Sequence, residues 1–277
     1  MSNENSHTTA DISVSPPAVR KITPADLKDV LAKGFDDFKA KPSHIFLLVL
    51  IYPLVGLLTV RISFGYDVLY LVFPVLGGFA LIGPVAAIGL YELSRRREQG
   101  LEISWAHAFG VFRQRSFPSL LILSVVLGVI YFAWLGAAHT IHWITFGSAV
   151  PQSIPDFVLQ VLTTSAGWTM IILGCGVGFI FALIVLAISA VSFPMLLDRN
   201  VGIMVAVQTS VNAYLANPKT MSMWGIIVAG SLAVGMLLLL VGLAVVMPVL
   251  GHATWHLYRK VVVYRPEGGE GGEFTPC

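Results

Sequence analysis

The feature that most constrains this chain is a series of long apolar runs without a charged residue. The runs cover 45–60, 68–91, 118–138, 168–193 and 221–258. A helix needs about 20 apolar residues to cross the hydrocarbon layer of a bilayer, so these lengths predict a protein that crosses a membrane several times. No signal-peptide pattern precedes the first run, which we therefore expect to remain as an uncleaved span.

The composition agrees with this prediction. Hydrophobic residues make up 56% of the chain and charged residues only 12%, whereas a soluble domain carries about 25% charged residues. So little charge leaves too few polar side chains to cover a water-soluble globule, and the apolar content excludes a disordered chain. Cys175 and Cys277 are too far apart in sequence to suggest a zinc or redox pair.

The residues before the first run divide into two parts. Residues 1–20 are rich in Ser, Asn and Thr and predict a disordered tail, whereas 21–43 carries the pattern of an amphipathic helix. Thr23 and Pro24 suit its N-cap and its first helical position. Its apolar stripe comprises Leu27, Val30, Leu31, Phe35 and Phe38. We expect this helix to lie on the membrane surface, with binding to a partner as the alternative.

Two further polar stretches contain apolar residues at helical spacing. In 92–116 these residues are Trp105, Ala108, Phe109 and Phe112, and in 198–220 they are Val207, Val211, Tyr214 and Leu215. Both patterns predict amphipathic helices at the membrane surface. The loop over 139–167 holds no Lys or Arg and predicts a short helix at 156–162.

The distribution of basic residues decides the number of spans. The last run, 221–258, has 38 residues, which suits either one long tilted helix or two short crossings. If it crosses twice, sixteen of the seventeen basic residues lie on one side of the membrane and only Arg61 lies on the other. Basic residues accumulate on the cytoplasmic side. We therefore predict six spans, a tight turn near 240–242, and both termini in the cytoplasm of a bacterium.

The six predicted spans group into three hairpins. Proline lies near the cytoplasmic end of each even-numbered span, in Gly83-Pro84, Phe193-Pro194 and Met247-Pro248, and this weak internal repeat suggests a repeated unit. The predicted fold is an all-α membrane protein, a polytopic helical bundle of about six transmembrane helices in three hairpins with cytoplasmic amphipathic helices. The bundle covers 44–260, and 261–277 is a flexible cytoplasmic tail.

The centres of the predicted spans contain no charged residue. Ion-coupled transporters, pumps and voltage sensors use ionisable groups within the membrane, so the sequence argues against these classes. A carrier of apolar or lipid-like molecules remains compatible. The chain also has no phosphate-binding glycine loop, no nucleophile elbow and no metalloprotease helix, and we predict that it is not an enzyme.

Two histidine pairs are candidates for metal binding. His252 and His256 lie four residues apart and share a helix face, a spacing at which neutral imidazoles can hold a metal. His139 and His142 lie on the opposite side of the membrane in the predicted topology. Neither pair has a carboxylate or cysteine at ligand spacing, so the simpler interpretation is an interfacial aromatic belt. We predict no cofactor, with haem or metal at His252 and His256 as the alternative.

Five arginines predict a cytoplasmic basic patch: Arg95, Arg96, Arg97, Arg113 and Arg115. Such a patch attracts anionic lipid headgroups, and each basic residue contributes about 1 kcal/mol near the membrane surface. The simpler interpretation is that these residues only set the topology. Nucleic-acid binding lacks a supporting fold.

Small residues recur at every fourth position in two predicted spans. They are Gly174, Gly178 and Ala182 in the fourth span, and Gly225, Ala229 and Ala233 in the fifth. Faces of this kind let helix backbones approach closely. Packing within the bundle is the simpler interpretation, and a homo-oligomer interface is the alternative.

Three motifs together resemble one known family. They occupy 89–100 (GLYELSRRREQG), 193–199 (FPMLLDR) and 248–259 (PVLGHATWHLYR). They are similar to a bacterial family of predicted inner-membrane proteins, the domain of unknown function numbered 2189, and the resemblance extends over about 20–265. Some family members are labelled as cytochrome c oxidase subunits. The spans here lack the deep histidines that a catalytic subunit of that kind needs.

These observations favour a non-enzymatic accessory, assembly or envelope-organising factor of the bacterial inner membrane. Its partners would be the lipid bilayer and another membrane protein or a second copy of the chain, and not a nucleic acid. The alternatives are a transporter or channel for a small or lipophilic solute, and a haem- or metal-binding component of a respiratory chain.

Overall fold

The computed structural model describes residues 17–40, 54, 58, 61, 69–104, 107–108, 110–148, 153–238 and 240–263. Apart from Leu54 and Leu58, the expected first span over 45–60 lies outside these residues. So do residues 1–16 of the expected N-terminal tail and residues 264–277 of the expected C-terminal tail.

The described chain is almost entirely helical. Strand β1 (Ala18–Val19) precedes α1 (Pro24–Ala40), and a 3-10 helix at Leu69–Leu71 leads into α2 (Val72–Gly77), α3 (Phe79–Ala86) and α4 (Ile88–Glu98). A second 3-10 helix at Gly110–Arg113 precedes α5 (Phe117–Phe146), α6 (Ile154–Thr163), α7 (Ser165–Ser189), α8 (Ser192–Asp198) and α9 (Ile203–Ala216). The last elements are α10 (Pro218–Leu237), α11 (Leu243–Val261) and β2 (Val262–Val263).

Within the described residues, three stretches of helix are long and apolar enough to cross a membrane. They are Phe117–Phe146, Ser165–Asp198 and Pro218–Leu237, and the pair Val72–Ala86 and Ile88–Glu98, bent by 41°, adds a fourth if it forms one span. These stretches coincide with the expected third, fourth, fifth and second spans. Large apolar side chains lie exposed on them, including Phe132, Ile172 and Ile226, as expected for helices that face lipid.

The turn expected near 240–242 is confirmed. Helix α10 ends at Leu237, α11 begins at Leu243, and the two helices pack against each other. Leu240 has a φ of 64°, a left-handed conformation that is uncommon for residues other than glycine. A turn therefore separates α10 from α11, and the two do not form one long helix. Helix α11 itself is not among the helices that pass as candidate spans.

The first and last parts of the described chain pack together. Strand β1 pairs antiparallel with β2, with Ala18 opposite Val263, and α1 lies along α11. Asn217 joins this unit to α9, because its side chain accepts from the backbone N–H of Ile22 and donates to the carbonyls of Arg20 and Ala213. We call this assembly of α1, α8, α9, α11 and the end of α4 the cap.

The environment of the amphipathic helix α1 differs from our expectation. The helix forms, but Leu27, Val30 and Phe38 of its stripe are buried because α1 packs against α11. Phe35 of the same stripe is 46% exposed. The approach is close, because a Cβ on Gly34 would lie 2.6 Å from the backbone nitrogen of Ala253. The buried part of the apolar stripe therefore packs against another helix of the same chain. The sequence pattern alone could not distinguish this packing from contact with lipid.

The other two amphipathic predictions have different outcomes. Within the stretch 92–116, residues 107–108 are helical and Gly110–Arg113 forms a 3-10 helix, while Trp105 and Phe109 of the predicted stripe lie outside the described residues. In α9 the buried face is Ala206, Thr209, Ser210 and Ala213, whereas Leu215, on the predicted apolar side, is 67% exposed. Small side chains let α9 approach α7 and α8 closely, and this outweighs the burial of the larger residues. The helix expected at 156–162 is confirmed as α6.

Large aromatic side chains form the core of the cap. Trp255, Tyr91, Tyr258 and Phe193 are fully buried, and they come from α11, α4 and α8. A fully buried large apolar side chain contributes roughly 1.5–3 kcal/mol. Burial of these apolar side chains therefore holds the three helices together, in addition to their polar contacts.

Candidate functional site

The three sequence motifs meet in the cap. The end of α4, the short helix α8 and the second half of α11 pack against one another. Their polar side chains, together with Asp37 from α1, form two neighbouring groups of contacts at this meeting point. We call them the Asp37 cluster and the Asp198 cluster.

The Asp37 cluster centres on one carboxylate. Asp37 accepts from Ser94 Oγ at 2.5 Å, Arg97 Nη1 at 2.6 Å and His256 Nε2 at 2.9 Å. Its side chain is only 8% exposed. A buried carboxylate requires partners of this kind, and Asp37 has them from both α4 and α11. One side chain therefore connects three helices.

Ser94 and His252 complete the same cluster. Ser94 Oγ lies 2.8 Å from His252 Nδ1, and both residues are buried. The arrangement differs from a catalytic triad, because the serine hydroxyl donates directly to the carboxylate and no histidine stands between them. Its geometry suits a structural network better than nucleophilic attack.

The Asp37 carboxyl is held in its ionised form. Burial alone would raise its pKa, but hydrogen bonds from His256 and Ser94 and the charges of His256 and His252 outweigh burial, so that the pKa lies below its usual value. Asp37 is therefore a permanent negative charge at neutral pH.

The Asp198 cluster lies at the end of the same helices. Tyr258 donates to Asp198 Oδ2 at 2.6 Å, and Trp255 Nε1 donates to Glu98 Oε2 at 3.0 Å. Arg259 contacts both acids, with Nε 3.1 Å from Glu98 Oε1 and Nη1 3.6 Å from Asp198 Oδ2. A cavity of about 330 Å³ is lined by Glu98, Gln99, Asp198, Arg199, Trp255 and Arg259. Its acidic and basic side chains compensate one another.

The predicted basic patch is divided by the structure. Arg95 and Arg96 pair with the buried Glu92, at 2.8 and 3.8 Å, and Arg97 pairs with Asp37. Arg113 and Arg115 are exposed, and no carboxylate within the described part of the chain pairs with either. Three of the five arginines therefore have carboxylate partners, and the other two are exposed without one among the described residues.

The two histidine pairs lie in different places. His252 and His256 belong to the Asp37 cluster, so a carboxylate does accompany them, contrary to the expectation from local spacing. His139 Nδ1 lies 2.7 Å from the hydroxyl of Tyr70, and His142 stacks on the Tyr70 ring at 3.8 Å. Among the described residues, no group of three or more His, Cys, Asp or Glu side chains is placed to hold a metal ion.

The small residues of the fourth and fifth spans have different neighbours. A Cβ on Gly178 would lie 3.1 Å from Trp134 of α5, and one on Gly225 would lie 2.9 Å from Leu186 of α7. Gly174 has open space, and Ala233 is exposed. Packing within the bundle is thus observed at Gly178 and Gly225, while Ala182 and Ala229 border a groove.

Two apolar grooves lie beside α11. The first has a volume of about 260 Å³ and runs between α3, α7, α10 and α11; its lining includes Ala182, Gly225 and Ala229. The second has a volume of about 430 Å³ and lies between α3, α4, the start of α5 and α11. No Asp, Glu, Lys or Arg lines either groove in the part of the chain that the structure describes. Both grooves are suited to binding apolar molecules.

Sequence reasoning found the histidines of the cap but missed Asp37 and Ser94. Asp37 is separated from His256 by 219 residues and Ser94 from His252 by 158, so no local spacing connects them. One signal was present: Asp37 is on the helix face that includes Gly34 and Phe38, which the apolar stripe predicts to be covered.

Comparison with known proteins supports the family resemblance. Residues 72–198 match the model of a family described as predicted integral membrane protein (DUF2189). The DUF2189 segment contains the first motif and all but the last residue of the second, and the third motif, on α11, packs against it. No curated protein and no solved structure matches the chain.

Proposed function

We propose that this protein is a non-enzymatic accessory or assembly factor of the bacterial cytoplasmic membrane. The observation that carries the proposal is that the polar side chains of the three motifs bind one another across the cap. Asp37, Glu98 and Asp198 each contact side chains from at least one other helix. Side chains that bind one another in this way stabilise the cap and keep its surface rigid.

The burial of the candidate chemical groups supports the same proposal. Ser94 is 1% exposed and His252 is 3% exposed. A nucleophile or a general base has to reach a substrate, either directly or through one water, and neither side chain offers such access. Charge compensation within the cap also leaves little driving force for binding an ion.

Contact between the chain ends supports an even number of membrane crossings. Strands β1 and β2 pair directly, so the segments that carry them lie on the same side of the bilayer. Six spans with both termini in the cytoplasm satisfy this condition and agree with the distribution of basic residues. A five-span topology would separate the paired strands.

Purification from native membranes tests the accessory role. We expect a tagged chain, cross-linked mildly in intact cells and extracted in detergent, to be recovered with a defined membrane protein in a fixed ratio. The variant Asp36→Asn should retain this partner, because Asp36 pairs only with the exposed Lys39 among the described side chains. Recovery of the chain without any membrane protein in a fixed ratio would contradict the proposal.

A carrier of lipophilic molecules is the second candidate, and the groove between α3, α7, α10 and α11 favours it. Its lining is apolar apart from a few hydroxyl and indole groups, including those of Tyr91, Ser189 and Thr254. A carrier would accelerate the transfer of a fluorescent lipid between proteoliposome leaflets. Replacing Ala229, which lines the groove, by Phe should abolish this transfer, whereas Ala233→Phe, one turn away on α10, should not.

A further inference from the structure

The second groove lies where α5 begins. It is bordered by the end of α3 and the start of α4, by Met247 and Pro248 of α11, and by the first two turns of α5; the lining residues of α3 and α4 are Val85, Ala86, Ile88, Gly89 and Leu90, and those of α5 are Phe117, Leu120, Leu121 and Ser124. Helix α5 is a candidate membrane span that starts at Phe117. The groove therefore runs inward from the membrane boundary over the first two turns of a span, at the depth where the acyl chain of a lipid begins.

Two arginines stand at the boundary end of this groove. Arg113 and Arg115 lie between the groove-lining residues Phe112 and Phe117 in sequence, and both arginines are exposed. Gln114, between them, donates to the buried Glu92, which ties this short segment to α4. The segment is thus held in place by its middle residue, with a positive charge on either side.

The charge at this position is uncompensated in the described part of the chain. Arg95, Arg96 and Arg97 are paired with carboxylates, whereas Arg113 and Arg115 have no such partner there. Phe112 is 62% exposed and meets Phe117 edge to face. Aromatic side chains with neighbouring basic residues are typical of the headgroup level of a membrane.

We propose that this groove is a binding site for an anionic glycerophospholipid. One acyl chain lies in the groove against Leu120 and Leu121, and the phosphate is bound by Arg113 and Arg115. The two arginine charges favour a headgroup with a net negative charge, because the ammonium group of a zwitterionic headgroup offsets the charge of its phosphate. Planar guanidinium groups also match the geometry of phosphate oxygens.

Lipid binding to the purified, delipidated chain tests this site. Native mass spectrometry with added dioleoylphosphatidylglycerol should show a tightly bound lipid, and dioleoylphosphatidylcholine should bind much more weakly. The double variant Arg113→Gln with Arg115→Gln should lose roughly thirtyfold in affinity for the anionic lipid, since each basic residue contributes about 1 kcal/mol and 1.4 kcal/mol is tenfold.

A matched control removes two other positive charges. Lys28 and Lys219 are exposed, and Lys219 also stands at the start of a candidate span, but neither lines the groove. The variant Lys28→Gln with Lys219→Gln should bind the anionic lipid as the unmodified chain does. A loss equal to that of the arginine variant would overturn the proposal, because binding would then depend only on overall charge.

A second variant tests the groove itself. Ala86 lines the groove and is exposed, so Ala86→Phe fills the groove without disturbing the buried core. This variant keeps both arginines and should still lose anionic-lipid binding by at least tenfold. Unchanged binding by Ala86→Phe, or equal affinity of the unmodified chain for the two lipids, would exclude the site.

Discussion

His256 Nε2 lies 2.9 Å from Asp37 Oδ2, although 219 residues separate the two side chains along the chain. The contact joins α1, the first described helix, to α11, the last. Ser94 and Arg97 of α4 contact the same carboxylate. Helices α1, α4 and α11 are therefore connected through one buried charge.

Replacing Asp37 by Asn should destabilise the protein by about 2–4 kcal/mol. The change removes the negative charge that compensates Arg97 and His256. Removal of one partner of a buried ion pair leaves the remaining groups without compensation. The free energy of unfolding in mixed micelles titrated with a denaturing detergent measures the effect. Asp36→Asn is the control: Asp36 is 59% exposed, so its loss should cost less than about 0.5 kcal/mol. Equal effects of the two variants would contradict the assignment.

Low pH should weaken the contact between α1 and α11, because the Asp26 carboxylate becomes protonated. Burial opposes ionisation of Asp26, but the backbone N–H of Thr23, the Lys260 ammonium and the Thr23 hydroxyl outweigh it and lower its pKa to about 2 from 3.8. Because the folded-state pKa is depressed, the stabilisation is complete above about pH 4 and is lost as the pH falls towards 2. Its size is about 1 kcal/mol once solvent screening is allowed for.

The control for this pH dependence is the variant Asp26→Asn. Its stability should be lower at neutral pH and should change less between pH 4 and pH 2 than that of the unmodified chain. Acid unfolding curves with the same shape and the same loss between these pH values would show that Asp26 does not contribute.

Tyr258→Phe should cost about 1.5–3 kcal/mol. The hydroxyl of Tyr258 donates to Asp198 at 2.6 Å inside the cap, and hydrogen bonds to charged groups contribute more than neutral ones. The matched control is Tyr214→Phe, whose hydroxyl lies 3.0 Å from the neutral Ser222 Oγ; it should cost about 0.5–1.5 kcal/mol. Thermal unfolding in detergent compares the two, and a smaller effect at Tyr258 than at Tyr214 would refute the ranking.

Gly34→Ala should destabilise the cap, although alanine favours helices. The new Cβ would lie 2.6 Å from the Ala253 nitrogen and 2.7 Å from the Val249 oxygen, so α1 and α11 would have to separate. Overpacking of this kind costs about 1–3 kcal/mol. Gly128→Ala, where nothing lies within 4 Å, should be neutral or stabilising by up to about 1 kcal/mol. Stabilisation by both substitutions would argue against the close helix contact.

The sequence predicted the elements of this fold better than their partners. Apolar length identified the spans at 118–138 and 168–193, and the turn near 240–242 followed from counting basic residues. The stripe of α1 was recognised, but periodicity reports only that a face is covered and not what covers it. In α9, the packing of small residues such as Ala206 and Ala213 outweighed the hydrophobicity of Leu215, and no local pattern carries that information.

The candidate site illustrates the same limit. His252 and His256 were identified from their spacing on one helix, whereas Asp37 and Ser94 reach them from α1 and α4. The five arginines looked equivalent in sequence, and only tertiary contacts separate the paired Arg97 from the exposed Arg113 and Arg115. The type of each residue can be read directly from the sequence, whereas the residues that it contacts depend on the tertiary fold.

The most direct test of the central claim is a double-mutant cycle between Asp37 and His256. The claim is that these residues act as a structural connection between the chain ends. Asp37→Asn, His256→Gln and the double variant should give a coupling of about 1–2 kcal/mol in the free energy of unfolding. Effects that add to within about 0.3 kcal/mol would show that the two side chains do not stabilise each other and would contradict the account.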